Sequence, residues 1–369
     1  MRILVICAHN KEFSLGVIYP RNFRALGHEV CEFYDVPEME KESVLFKFPI
    51  FKRINEWRLS EKHTWGIWQR AVIRICKGFM VRAERKSNRK LLEVCNNFKP
   101  EIIFVIKGKT ILKDTLVTIK NRTGCILTYY NADDHFNLYS TSRNMLNSLP
   151  VYDIVFTWSQ ALFDSLYKAG ARKVEFLPFG YDKLLHNYDC SSDDNNNFGH
   201  DIVFVGEWDK KREDMLSVLA DLDLGIWGPR WNRASRKSPS YKCIIGTREV
   251  DAKIAAKIYR ASKISLNLMR PQNHKAHNMR SFEIPALGGF MLTDRTDAHL
   301  SIFEEGNEIA CFEGVGELRD QAIKYLSANM VRKEMSNRAM EKVRKNHSYT
   351  ERAKTIIGIV EREKKLNID

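Results

Sequence analysis

Short apolar runs, separated by longer segments of mixed polarity, recur along the chain. In the first half they are RILVIC (2–7), a run ending at Asp35, IIFVIKG (102–108), CILTYYNADD (125–134) and YDIVFTWSQ (152–160). Runs of this length without polar alternation are typical of strands buried on both faces, and the segments between them are long enough for helices. The pattern predicts a Rossmann-like α/β sheet in the first half of the chain.

A second series of apolar runs follows the polar stretch NYDCSSDDNNNFGH (187–200), whose composition is typical of an exposed loop. These runs are DIVFVG (201–206), LGIWGPRW (224–231), SKISLNLMR (262–270) and FMLTD (290–294). A chain of 369 residues exceeds what one hydrophobic core usually fills. We therefore expect two Rossmann-like domains, over residues 1–175 and 176–345, followed by a helical segment over 346–369.

A helical and basic insertion is predicted within the first domain, over residues 44–99. The chain has a formal net charge of +13, and 13 Lys and Arg residues lie between Val44 and Lys90 against three Glu. Apolar side chains are interleaved with these charges: Phe46, Phe48, Phe51, Trp57, Trp65, Trp68, Ile73 and Phe79. Such a mixture suits an anionic membrane surface, a nucleic-acid backbone, or a core-packed helical pair with one solvated basic face. Periodicity alone leaves these three interpretations open.

The cysteine pattern and the hydropathy of the chain indicate the cellular compartment in which the protein is expected. Eight cysteines are scattered without a CxxC pair, which favours reduced thiols and predicts no metal site. The first residues run directly into a strand, so we expect no signal peptide. No apolar run approaches the roughly 18 residues that span a bilayer. These features predict a cytoplasmic protein, which would be peripheral at the inner face of the membrane if the basic insertion docks there.

The segment NMRSFEIPALGGFMLTD, from Asn278 to Asp294, carries the most specific chemistry. Arg280 and Glu283 are three residues apart, a spacing that places both side chains on one face of a helix near its start. Backbone N–H groups at a helix N-terminus favour a bound anion, and Arg280 adds a fixed positive charge. A carboxylate beside them accepts hydrogen bonds from vicinal hydroxyls. The segment therefore predicts a site that holds a diphosphate and a ribose, with Asn278 at its edge.

Two turns in the second domain add to this donor site. In DIVFVGEWDKKRED a strand ends at Gly206, and the next helix carries Lys210, Lys211 and Arg212 in its first turn. Cations there oppose the helix dipole, so the sequence predicts that a bound diphosphate compensates them. The turn at Gly228 is predicted to lie against a nucleobase.

Residues 261–326 resemble the C-terminal half of GT-B glycosyltransferases, most of all the spore-maturation-protein (CgeB-like) group of glycosyltransferase-4-like enzymes. The resemblance lies in FEIPALGGFMLTD and in the acidic turn IFEEGNEIACF. It implies two Rossmann-like domains facing a cleft, with the last helix crossing back to the first domain. It also implies that Glu283 binds the ribose and Arg280 the diphosphate. Lys275 stands where many retaining relatives have the first glutamate of an E-x7-E pair, so the stereochemical outcome stays open.

Polar residues at strand ends of the first domain are the candidates for acceptor chemistry. Lys107 follows one predicted strand, and Asp133 and Asp134 follow the next. Ligands of open α/β sheets bind beyond the carboxyl ends of the strands, so we expect a catalytic role for at least one of the two aspartates. The resemblance places the loop at His9 in the same cleft, with His9 as a further acid or base candidate.

The sequence thus predicts an enzyme that transfers a sugar from a nucleoside-diphosphate-sugar, with UDP favoured, to an acceptor hydroxyl. No metal and no other cofactor is expected, because cations and helix N–H groups stabilise the leaving diphosphate. The expected acceptor is a glycan or a lipid-linked saccharide of the cell surface. Two alternatives remain open: a phage-type DNA glycosyltransferase, which +13 would suit, and a non-catalytic sugar-nucleotide-binding protein.

Overall fold

The computed structural model describes residues 1–8, 10, 12, 14–59, 66–137, 141–184, 197–270 and 276–366. The chain forms two compact units. The first comprises Met1–Pro178 together with Ala353–Asp369, and the second comprises Phe179–Arg352. Each unit contains one six-stranded sheet.

The sheet of the first unit is parallel throughout and has the order β2-β1-β3-β4-β5-β6. Strands β1 to β6 are, in order, Arg2–Cys7, Glu29–Tyr34, Ile102–Ile106, Ile126–Asn131, Ile154–Thr157 and Val174–Phe176. Helices α1 to α7 are Leu15–Ala25, Asp35–Lys41, Pro49–Leu59, Ile67–Phe98, Lys113–Thr123, Arg143–Ser148 and Phe163–Lys168. Three 3-10 helices are Val44–Lys47, Leu149–Val151 and Gln160–Leu162. The strand order reverses between β1 and β3, so the carboxyl ends of these two strands mark the switch point where such sheets bind ligands.

The second sheet is also parallel and has the order β12-β11-β10-β7-β8-β9. Strands β7 to β12 are Ile202–Val205, Leu224–Trp227, Ile244–Gly246, Ile264–Asn267, Met291–Asp294 and Ala310–Phe312. Helices α8 to α14 are Lys210–Ser217, Ala252–Ala261, Arg280–Ala286, Asp297–Leu300, Gly314–Ser327, Asn329–Asn346 and Tyr349–Leu366, and two 3-10 helices are Trp231–Arg233 and Pro239–Cys243. Here the order reverses between β7 and β10. The predicted class, two Rossmann-like α/β sheets, is confirmed.

The last helix, α14, contributes to the first unit from Ala353 onward. Near its end Glu363 forms an ion pair with Lys173 at 2.8 Å, and Lys364 lies 3.3 Å from Glu101. These contacts attach the C-terminal end of the chain to the unit that its first residues build.

Helices α3 and α4 account for most of the basic insertion. A separate apolar cluster joins them to α2: Met39, Phe46, Ile54, Ile73, Met80 and Ala83. Phe46 is thus a core residue, whereas Phe48, Trp68 and Phe79 are exposed. The core-packed interpretation therefore describes the buried face of the insertion, and Trp65 lies outside the described residues. Within the described part of the chain, no helix is long and apolar enough to cross a membrane.

Candidate functional site

Two glycine turns meet at the carboxyl ends of β7 and β8. The Gly206 N–H donates to the Trp227 carbonyl at 2.9 Å, and the Trp231 indole N–H donates to the Gly206 carbonyl at 2.9 Å. A Cβ on Gly228, whose φ is +141°, would lie 2.1 Å from the Gly206 oxygen. Glycine is therefore required at position 228, and the structure brings together the two predicted donor-site glycines.

Arg212 ties the ends of β7 and β10 together. Its guanidinium donates through Nε and Nη2 to the Leu268 carbonyl at 3.2 and 2.5 Å, and through Nη1 to the Glu207 carbonyl at 2.9 Å. The side chain is buried, and burial lowers its pKa to about 10. Most of the hydrogen-bonding capacity of Arg212 is therefore used within the protein.

Carboxylates of the same segment partly compensate the positive charge in the first turn of α8. Asp209 caps the helix, and its carboxylate accepts from the Arg212 backbone N–H at 3.0 Å. Lys210 forms ion pairs with Glu213 at 3.4 Å and with Asp214 at 2.7 Å. Three carboxylates of the same segment, Asp209, Glu213 and Asp214, thus offset part of this positive charge, and binding of a diphosphate by Lys211 stays a prediction.

A charged cluster occupies the switch point of the second sheet. Arg270, which follows β10, forms an ion pair with Glu207, which follows β7, and Arg230 contacts the other oxygen of Glu207 at 2.7 Å. Lys211 is half-exposed and lies 4.0 Å from Asp294, at the end of β11. Burial raises the pKa of Asp294. This cluster lies at the carboxyl ends of the strands, the place where α/β sheets bind ligands.

Arg280 and Glu283 form an ion pair on the first turn of α10. Glu283 is largely buried, and the pair raises the pKa of Arg280 through its attraction to this carboxylate. Glu283 uses Oε2 for the pair. Among the described residues none donates a hydrogen bond to Oε1, which leaves that oxygen available to a ligand hydroxyl.

A buried polar network fixes the start of α10 on the end of β10. Asn278 accepts from the Ser281 backbone N–H at 3.1 Å and donates to the Asn267 side chain at 2.8 Å. Ser281 in turn contacts Asn267 at 3.1 Å and His299 Nε2 at 2.8 Å. Burial lowers the pKa of His299 to about 4, so this ring is neutral near pH 7. Asn278 is thus a helix cap as well as a predicted donor-site residue.

In the first unit, Lys107 and Asp133 meet at the carboxyl edge of the sheet. Lys107 Nζ lies 2.6 Å from Asp133 Oδ2, and both side chains are partly exposed. Lys107 has a φ of +67° and Gly108 a φ of +63°. Left-handed backbone at a non-glycine residue is costly and is concentrated at functional sites.

The two neighbouring aspartates are used differently. Asp134 accepts the Phe136 backbone N–H at 2.9 Å, a typical turn contact, whereas Asp133 points to Lys107. His9 and Lys275 lie outside the described residues.

Several residues of these clusters were missed by sequence reasoning: Glu207, Asp209, Arg230, Arg270 and Asp294. Three of them lie at or just after the carboxyl ends of parallel strands: Glu207, Arg270 and Asp294. Testing every strand end of the second domain for charged residues would have identified them. Among the described residues, no group of three or more His, Cys, Asp or Glu is arranged to hold a metal ion.

Comparisons with known proteins agree with this architecture. Residues 211–358 match the family model described as Glycosyl transferase-like. The comparison with curated proteins returns no match.

Solved structures resemble the chain over nearly its whole length. Sucrose-phosphate synthase from Thermosynechococcus elongatus has a TM-score of 0.69 at 11% identity, covering 98% of each chain. Anabaena HepE, in complex with UDP and glucose, has a TM-score of 0.64 at 12% identity over 98% of this chain and 99% of that one. An E. coli structure described as trehalose-6-phosphate bound with UDP-2-fluoro glucose has a TM-score of 0.62 at 11% identity, covering 97% of this chain and 98% of that one. These similarities show that the chain has the GT-B α/β fold.

Proposed function

We propose that the protein is a glycosyltransferase that transfers a sugar from a nucleoside-diphosphate-sugar, UDP-sugar in the first instance, to an acceptor hydroxyl. The observation that carries the proposal is the switch point of the second sheet, where Arg270 follows β10 and Lys211, on the first turn of α8, lies 4.0 Å from Asp294 at the end of β11. The match to the Glycosyl transferase-like family over residues 211–358 covers this region, and HepE binds UDP and glucose on the same fold.

The donor would be held by two groups of side chains. Arg280, Lys211 and Arg270 neutralise the diphosphate, whose negative charge grows on the leaving group as the bond to the sugar breaks. Glu283 accepts from a ribose hydroxyl through Oε1 while Arg280 fixes its other oxygen. Arg212 holds the backbone of both strand ends in place. Its direct contact with the diphosphate stays a prediction.

A nucleobase and its phosphates need a part of the protein where the backbone itself can come close to the ligand. Gly206 and Gly228 supply it, because glycine has no side chain and the backbones of these two residues lie against each other. We infer that the nucleobase stacks against the Gly228 turn.

The acceptor hydroxyl would be handled by the first unit. Asp133 is favoured over Asp134, because its carboxylate is positioned by the Lys107 side chain, whereas Asp134 accepts a backbone N–H of its own turn. In an inverting reaction Asp133 removes the hydroxyl proton as general base. In a retaining reaction it orients the acceptor. The anomeric configuration of the product, read by NMR, distinguishes the two.

The acceptor class that we propose is a glycan or lipid-linked saccharide, within the CgeB-like group of enzymes. None of the three solved structures named above is described with DNA, so the DNA-modifying alternative gains no support from them. We also propose that transfer needs no metal; unchanged turnover after EDTA treatment is the expected result.

Release of UDP from a panel of UDP-sugars tests the proposal. We expect slow hydrolysis of one or two donors in water and faster release with a glycan or lipid-linked acceptor. A Glu283→Gln variant should release UDP more slowly at subsaturating donor. Binding of a UDP-sugar without hydrolysis or transfer under any condition would favour the non-catalytic alternative, and absence of binding would refute the proposal.

A further inference from the structure

The first half of α4 exposes an unusual number of large apolar side chains. Ile67 and Trp68 are each 84% exposed, Ile75 is 76% exposed and Phe79 is 61% exposed. Isolated exposed apolar residues are ordinary, but a contiguous set on one helix indicates an interaction site. All four side chains are thus more than half exposed.

The same helix lines a groove of about 540 Å3 with cations: Arg74, Lys77, Arg82, Arg85 and Arg89. In the described part of the chain none of these five forms an ion pair with a carboxylate. By contrast, Lys86 pairs with Glu42 at 3.5 Å and Lys90 with Glu38 at 2.8 Å. The positive charge of the groove is therefore uncompensated within the described residues, which favours an anionic partner.

Helix geometry places the apolar and cationic residues on one continuous surface. At about 100° per residue, Ile67, Ile75 and Arg82 lie within one solvent-facing sector, and Arg89 follows two turns later. The buried side chains of α4, such as Met80 and Leu91, lie on the opposite side. The 32 residues of this helix thus present an amphipathic face that the core of the unit does not use.

We propose that this face, residues 67–89 of α4, docks the protein on an anionic lipid bilayer. Tryptophan and isoleucine side chains insert at the boundary between headgroups and acyl chains, and arginines contact the lipid phosphates. A nucleic-acid backbone would satisfy the arginines equally. It would leave Ile67 and Ile75 in water, because aliphatic side chains have no base to stack on. The exposed aliphatic residues therefore favour a bilayer over a nucleic acid as the partner. This inference does not depend on the proposed sugar transfer.

Flotation of the full chain with vesicles tests the proposal. We expect binding to phosphatidylcholine vesicles that contain phosphatidylglycerol, weak binding to phosphatidylcholine alone, and weaker binding at high salt. Arg82→Gln with Arg85→Gln should lower the affinity about 25-fold, since each basic residue near an anionic surface contributes roughly fivefold. Trp68→Ser with Phe79→Ser should lower it at least about tenfold.

The matched control removes two exposed lysines from α13 in the other unit. Lys333→Gln with Lys345→Gln changes the net charge by the same amount and should leave vesicle binding near that of the wild type. UDP release without vesicles should be unchanged in every one of these variants, which separates this inference from the proposed function.

Three results would overturn the inference. The first is equal binding to vesicles with and without phosphatidylglycerol, or to neither. The second is an Arg82 and Arg85 double variant that binds like the lysine control. The third is duplex DNA that binds more tightly than vesicles and is insensitive to the Trp68 and Phe79 substitutions, which would make the face a nucleic-acid surface.

Discussion

Replacing Arg212 by methionine separates a structural role for this side chain from a ligand role. The substitution removes the guanidinium that joins the carbonyl oxygens of Glu207 and Leu268 across the switch point. It keeps most of the aliphatic part of the side chain but also removes the contact of the guanidinium carbon with the Phe204 ring, whose centroid lies 5.3 Å away. The expected primary effect is therefore loss of stability in the second unit.

The magnitude follows from two opposing terms. The buried Leu268 carbonyl and the partly buried Glu207 carbonyl lose a charged donor, at about 1.5–3 kcal/mol each, or roughly 3–6 kcal/mol together. The folded state penalises the charged guanidinium, because burial lowers the pKa of Arg212 from 12.5 to about 10. Relief of that penalty returns about 3 kcal/mol. We expect a net loss of about 0–3 kcal/mol in the free energy of unfolding, centred near roughly 1.5 kcal/mol.

Thermal unfolding is the assay, and the neighbouring residue provides the control. A loss of this size lowers the melting temperature by about 2–4 °C for each kcal/mol in a unit of this length. Lys211→Met removes the same charge from a half-exposed side chain whose nearest carboxylate oxygen is 4.0 Å away. It should change stability by less than about 0.5 kcal/mol. Equal melting temperatures for the two variants would refute the structural assignment of Arg212.

Three further outcomes are expected. Asp133→Asn should abolish transfer and leave donor affinity unchanged, whereas Asp134→Asn should retain transfer. Activity assays with parallel calorimetry of donor binding check this, and equal activity of the two variants would mean that both aspartates serve only the turn. Gly228→Ala should lower the melting temperature, because its Cβ would lie 2.1 Å from the Gly206 oxygen, and a variant as stable as the wild type would contradict the geometry. Gly78 lies on the exposed face of α4, where an added Cβ meets nothing within 4 Å. Gly78→Ala should therefore raise the free energy of unfolding by about 0.5–1 kcal/mol, measured by denaturant titration. A loss of stability would show that a side chain at position 78 collides with another part of the protein.

The strands were the most predictable part of the fold. β7 and β10 each lie within a run of apolar residues, and burial on both faces leaves no other pattern for a central parallel strand. β9 was missed, because Ile244–Gly246 is a three-residue edge strand whose side chains are partly exposed. Phe46 and Phe48 show why the buried side chains of the helical insertion could not be predicted from the sequence. Both are aromatic, and which of them is buried depends on the tertiary contacts of α2 and α4.

The candidate site was predictable where the contacts are local. Arg280 and Glu283 touch because their spacing places them on one helical face. The partners of Arg212 were not predictable, since Leu268 is 56 residues away and becomes a neighbour through the β7–β10 pairing. Asn278 likewise reaches Asn267 only because α10 begins on the end of β10.

Calorimetric titration of UDP into the wild-type protein and into the Glu283→Gln variant tests the central claim most directly. Replacing one acceptor oxygen by an amide should weaken binding by about 1.5–3 kcal/mol, the usual contribution of a hydrogen bond to a charged group. The second unit should stay folded, because the change preserves the shape of the side chain. Equal affinity of UDP for both proteins would remove Glu283 from the ribose site, and absence of UDP binding to the wild type would contradict a UDP-sugar site in the second unit.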